Sequence, residues 1–136
     1  MKLLWDEGGS ATVEEAFATD TITSSTFTYV ELRSAIAGAT RSGRFGPEII
    51  SGLGPRLRTI WREVAHLPLT QATLHRAADL TDSVGLRAGD AVQLASLLFA
   101  GGPDLVRFAC FDLDLRRAAG ELGYEFVPPE SEMRAF

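Results

Sequence analysis

From Asp90 to Ala100 the chain is apolar on nearly every side of a helix: Ala91, Val92, Leu94, Ala95, Leu97, Leu98 and Phe99 leave no wide polar stripe. A helix of that kind has to be central and buried, with the rest of the fold built around it. The flanking sequence alternates between helical spacing and short β-rich runs, which is the order of an α/β domain. Ser10 to Thr19 reads as a helix and Thr21 to Ser24 as a short strand. Thr28-Tyr29-Val30-Glu31 has the spacing of a capping box, in which threonine and glutamate satisfy each other's backbone donors at a helix start, and that helix runs to Thr40. Gly43, Gly46 and Pro47 break the pattern before a helical segment reaching about Ala65, with a candidate interruption at Gly54-Pro55.

Leu67-Pro68-Leu69 is a short strand candidate, and Thr70 caps a helix whose Leu74, Ala77, Ala78 and Leu80 share one face before Gly85 closes it. Gly101-Gly102-Pro103 ends the apolar helix. Leu105 to Phe111 is the strongest strand candidate, followed by a helix from Asp112 to about Leu122 and a strand Tyr124 to Val127 that Pro128-Pro129 stops. Parallel strands joined by helices present their carboxyl ends, and the helix starts that follow, along one edge of the sheet. Asp112 is expected on that edge.

At 136 residues, 46% hydrophobic and 23% charged, the chain is expected to form one domain spanning residues 1–136. No apolar run approaches the roughly 20 residues that span a bilayer, and Asp6 and Glu7 come too early for a signal-peptide core, so a cytoplasmic protein with no membrane partner is expected. A single cysteine, Cys110, makes neither an internal disulfide nor a cysteine-rich zinc site, and His66 and His75 are isolated. Cys110 falls in a predicted inner strand, where a buried thiol is inert. Neither histidine sits in a recognisable nucleophilic context, and neither Gly8-Gly9 nor Gly101-Gly102 belongs to a phosphate-binding loop.

The net charge of −5 argues against broad electrostatic binding to nucleic acid but leaves a nucleic acid substrate open. Only Lys2 among the 13 basic residues is lysine, so nearly all the positive charge is guanidinium, suited to bidentate contacts with phosphate or carboxylate. Arg41, Arg44, Arg56, Arg58 and Arg62 cluster in one middle segment and read as a solvated helical face.

Three acids, Glu31, Asp90 and Asp112, each stand at a predicted helix start within apolar sequence. Singly, each is explained as well by capping or by the helix dipole as by chemistry. Brought together, they would form a carboxylate pocket whose repulsion a divalent cation or protons must offset. Asp114 is a dipole-stabilising or assisting acid.

Thr28-Tyr29-Val30-Glu31, then Gly85-Leu86-Arg87-Ala88-Gly89-Asp90-Ala91-Val92-Gln93-Leu94-Ala95, then Phe111-Asp112-Leu113-Asp114-Leu115, in this order and spacing, resemble the PIN-domain ribonucleases, above all the VapC-type toxins of bacterial toxin–antitoxin pairs. Gly123 to Pro128 resembles their closing strand. The resemblance implies a PIN-like three-layer α/β domain, its short parallel sheet flanked by helices. It implies a type II toxin: a homodimer restrained by a VapB-like antitoxin, cleaving RNA with Mg²⁺ or Mn²⁺. Glu31, Asp90 and Asp112 carry over as catalytic and metal-holding acids, with Asp114 as a further metal-side acid. Arg87 is a candidate contact for an RNA phosphate, or an ordinary surface arginine.

The family's opening, an apolar strand ending in aspartate, has no counterpart in this sequence. Met1 to Ser10 resembles the end of the helix that follows that strand and the loop after it, and Asp6 is not expected to replace the absent acid. Two explanations are open. The recorded start is late, with in-frame upstream codons encoding the strand, or the chain is a short form with reduced catalysis. In the second case it is a degenerate module that still binds an antitoxin or a second copy.

Overall fold

The computed structural model of the chain describes residues 10–43 and 45–133. The expectations for Met1 to Gly9, Asp6 included, and for Arg44 therefore lie outside the described residues. The described elements run α1 (Ser10–Thr19), β1 (Thr23–Ser25), α2 (Thr26–Arg41), α3 (Pro47–Arg62), β2 (Ala65–Leu67), α4 (Gln71–Val84), α5 (Ala88–Ala100), β3 (Arg107–Ala109), α6 (Leu113–Glu121), β4 (Glu125–Val127) and α7 (Glu130–Met133). This is an α/β fold with short parallel sheets flanked by helices, as the alternating pattern and the family resemblance imply. Among the described residues no helix is long and apolar enough to cross a membrane.

Local chemistry accounts for most of the boundaries. Thr70 caps α4 by accepting the Thr73 amide at 3.2 Å, and Gly85 ends it at φ 74°, a left-handed conformation that suits glycine. Asp112 caps α6, its Oδ1 accepting the Leu115 amide at 2.9 Å. The capping box at Thr28 and Glu31 is not formed. Ser25 caps α2 instead, accepting from the Phe27 amide at 3.2 Å, so both Thr28 and Glu31 lie inside the helix with their side chains free for other partners. Nor is α3 interrupted at Gly54-Pro55. Leu53 and Leu57, on either side of that pair, both bury against Ile36 of α2, and this packing outweighs the amide donor that proline lacks.

Helix α5 is the centre of the main core. Ala91, Leu94 and Ala95 have no exposed surface and pack among Ala77 and Leu80 of α4, Leu115, Ala118 and Ala119 of α6, and Tyr124. Near the helix end Phe99 stays 55% exposed. The helix is otherwise central and buried, as its apolar pattern implies.

The strands form two parallel pairs, β1 with β2 (Ser24 opposite His66) and β3 with β4 (Phe108 opposite Phe126). No described strand hydrogen-bonds one pair to the other. Between them runs a groove of about 650 Å³, lined by Ser24 of β1, Phe108 and Ala109 of β3, Phe17 of α1, Trp61 of α3 and Leu97 of α5. An ion pair between Arg107 at the start of β3 and Asp20 just before β1 links the two pairs.

Candidate acidic site

The second turn of α2, which carries Glu31, packs against the start of α5, and α5 in turn packs against α6, which Asp112 caps. At Gly89 α2 and α5 come close: a Cβ added there would stand 3.2 Å from Glu31 Oε1 and 3.7 Å from the Phe27 ring. One turn further along α5, the Gln93 side-chain amide donates to Glu31 Oε2 at 2.5 Å and to Thr28 Oγ1 at 2.8 Å. Glu31 is thereby aimed by a side chain from another helix, and its role as an N-terminal cap is excluded by the start of α2 at Thr26.

Two of the carboxyls, Glu31 and Asp90, are perturbed. Burial lifts the Glu31 carboxyl above its usual range; the Gln93 amide opposes this, and the charge of Asp90 adds to it. Asp90 is likewise raised, first by burial and then by Asp112; Asp114 also raises it, and Arg87 opposes. The charge of Asp90 thus acts on Glu31, and the charges of Asp112 and Asp114 act on Asp90. Their exposures differ. Glu31 and Asp90 are half-buried, whereas Asp112, Asp114 and Arg87 are exposed, and Asp114 leans toward Arg117 at 4.0 Å. Arg87 is the cap residue of α5 but makes no side-chain capping bond.

These acids are gathered without being caged. Among the described residues no three His, Cys, Asp or Glu side chains stand close enough together to enclose an ion. The donor set nevertheless fits a hard cation: it offers carboxylate oxygens only, and Mg²⁺ commonly binds through one or two carboxylates while keeping several waters.

Gln93 is the residue the sequence pattern passes over. Its signal is visible in retrospect, as an amide side chain three positions after Asp90 in a mostly apolar helix, a spacing that puts both on one face. Other groups stay outside the site's chemistry. Cys110 is buried, and burial above all pushes its thiol up to about 11, so it is no nucleophile at neutral pH. His66 is exposed and stacks on Trp61 at 4.5 Å, and Arg41, Arg56, Arg58 and Arg62 are exposed on α2 and α3, in keeping with a solvated face.

Two curated relatives from Mycobacterium tuberculosis match the chain: Ribonuclease VapC45 of strain CDC 1551 / Oshkosh and Ribonuclease VapC49 of strain ATCC 25618 / H37Rv. Each is 30% identical over 131 residues, covering 96% of this chain and 90% of the relative. The chain belongs to the VapC family. No protein-family model and no solved structure matches it. With that coverage the match to the VapC relatives spans the whole stretch from Glu31 to Asp114, so the acidic group falls inside the shared sequence.

Proposed function

We propose that this VapC chain is a metal-dependent endoribonuclease, the toxin of a type II toxin–antitoxin pair, and that Glu31, Asp90 and Asp112 are its catalytic acids. The observation that carries the reading is the hydrogen bond by which Gln93 of α5 holds Glu31 of α2 beside the start of α5, where Asp90 stands, in place of a capping role. The three acids would hold Mg²⁺ or Mn²⁺ with Asp114 assisting, which also allows a chain of net charge −5 to approach a polyanion. A bound ion supplies positive charge opposite the phosphoryl oxygens and lowers the pKa of an attacking water. Glu31 and Asp90 fix where negative charge is concentrated, and Gln93 keeps Glu31 oriented. Arg87, exposed and three residues before Asp90 in the chain, would meet a phosphate of the RNA. The same reading takes the protein as a single-domain, cytoplasmic homodimer restrained by a VapB-like antitoxin.

One observation favours a second reading. Among the described residues no three His, Cys, Asp or Glu side chains stand close enough together to enclose an ion. On that reading the chain is a degenerate module that binds its antitoxin or a second copy without cleaving.

A single set of measurements separates the two. RNA cleavage by the wild type in Mn²⁺ that disappears in Asp90→Asn supports the nuclease. Equal cleavage by both variants refutes it for these residues. An inactive wild type that still binds its antitoxin supports the module.

A further inference from the structure

Arg116 is a buried cation, 7% exposed, and among the described residues no carboxylate lies within ion-pair distance of it. Burying a guanidinium is costly unless its donors are used. Here they are spent on backbone. Nη1 donates to the Cys110 carbonyl at 2.7 Å, and Nη1 and Nη2 both donate to the Pro128 carbonyl at 3.1 Å. The Phe126 ring lies beneath the guanidinium, 4.3 Å from its carbon to the ring centroid.

The two carbonyls mark the place where β3 and β4 part. The bond from the Cys110 amide to the Val127 carbonyl at 3.2 Å is the last between them, after which one chain turns toward Asp112 and α6 while the other passes into Pro128. Carbonyls just beyond a diverging ladder need new donors. Arg116 supplies them for both strands at once. Because it sits one helical turn after Asp112, and its amide bonds to the Asp112 carbonyl at 2.9 Å, the clamp closes a short loop around the acid. Lysine is a point charge and cannot span two carbonyls as the guanidinium fork does.

We infer that Arg116 is a positioning residue for Asp112, fixing the β3–α6 turn so that the carboxylate caps α6 and faces Asp90. The metal arm of its test rests on the nuclease reading; the arm without metal does not.

The test uses the full chain with Arg116→Lys, and Arg116→Gln serves if the lysine variant does not fold. Without metal, hydrogen exchange by NMR compares the Leu115 amide, which the Asp112 carboxylate holds, with the mid-helix amide of Ala95 in α5. Exchange about tenfold faster at Leu115 with Ala95 unchanged is expected. Equal acceleration at both sites, or at neither, overturns the proposal. In the metal arm, Mn²⁺ affinity falls about 10- to 100-fold in Arg116→Lys, the usual range when a supporting partner of a ligand is lost. In an Asp112→Asn background the same change has no further effect, because the residue it acts through is gone. A loss of equal size in both backgrounds overturns the positioning role. Unaltered Mn²⁺ affinity in Asp112→Asn alone refutes that acid as a ligand and leaves the exchange result to decide the clamp.

Discussion

Gln93 on α5 donates its side-chain amide to Glu31 on α2 at 2.5 Å, joining two helices at the edge of the acidic group. The bond favours the ionised form of a half-buried carboxyl that burial and Asp90 push toward the protonated one. Removing the amide should therefore raise the Glu31 titration midpoint further. Gln93→Leu tests this by carboxyl ¹³C NMR titration, with an expected loss of about tenfold in Mn²⁺ affinity. A midpoint that stays in place or falls would mean that the amide does not control Glu31.

The raised carboxyls also set a pH dependence for the metal-free protein. In the folded chain Glu31 and Asp90 titrate above their ordinary values of 4.5 and 3.8, so the folded state binds protons more tightly there than the unfolded one. Stability from this source is fully present below the ordinary values and is lost as pH rises through the folded ones. Asp90→Asn should then raise the metal-free melting temperature by a few degrees at pH 7 and give little gain near pH 4. Calorimetry at the two pH values checks it, and a lower melting temperature for Asp90→Asn at pH 7 would contradict the repulsion.

Much of this arrangement is legible in the sequence because it rests on local chemistry. Thr70 and Gly85 bound α4 by hydrogen bonding and a left-handed turn, and Asp112 caps α6, all from residues adjacent in the chain. The capping box failed for the opposite reason. Thr28 and Glu31 have the right spacing, but Ser25 caps first, and the competing partner, Gln93, is 62 positions away from Glu31. Long-range choices of that kind leave only a faint mark, such as an amide side chain within a mostly apolar helix. The separation of the strands into two pairs and the burial of Arg116 likewise depend on contacts that no local window contains.

The contrast between Leu94 and Phe99 predicts unequal costs along one helix. Leu94 has no exposed surface and touches the α4 and α6 walls of the core, so Leu94→Ala should lose about 2–5 kcal/mol, depending on how far the cavity collapses. Phe99 is 55% exposed, and Phe99→Ala should stay below about 1 kcal/mol. Urea unfolding of the two variants measures both. Comparable losses would mean that Phe99 is covered in solution, as by a second copy of the chain.

Gly89 separates stability from site geometry most cleanly. A methyl group there would stand 3.2 Å from Glu31 Oε1, closer than ordinary van der Waals contact, while no positive φ constrains the residue to glycine. In the first turn of α5, alanine should otherwise favour the helix by up to about 1 kcal/mol. Glu31 can yield only by swinging away from Asp90 or by straining its bond to Gln93. Gly89→Ala is therefore expected to melt at or above the wild-type temperature while binding Mn²⁺ about tenfold more weakly. Thermal melts and Mn²⁺ titration on the same preparation read the two effects separately. Wild-type Mn²⁺ affinity in a stable Gly89→Ala would show that the position of Glu31 beside α5 has no part in holding the ion.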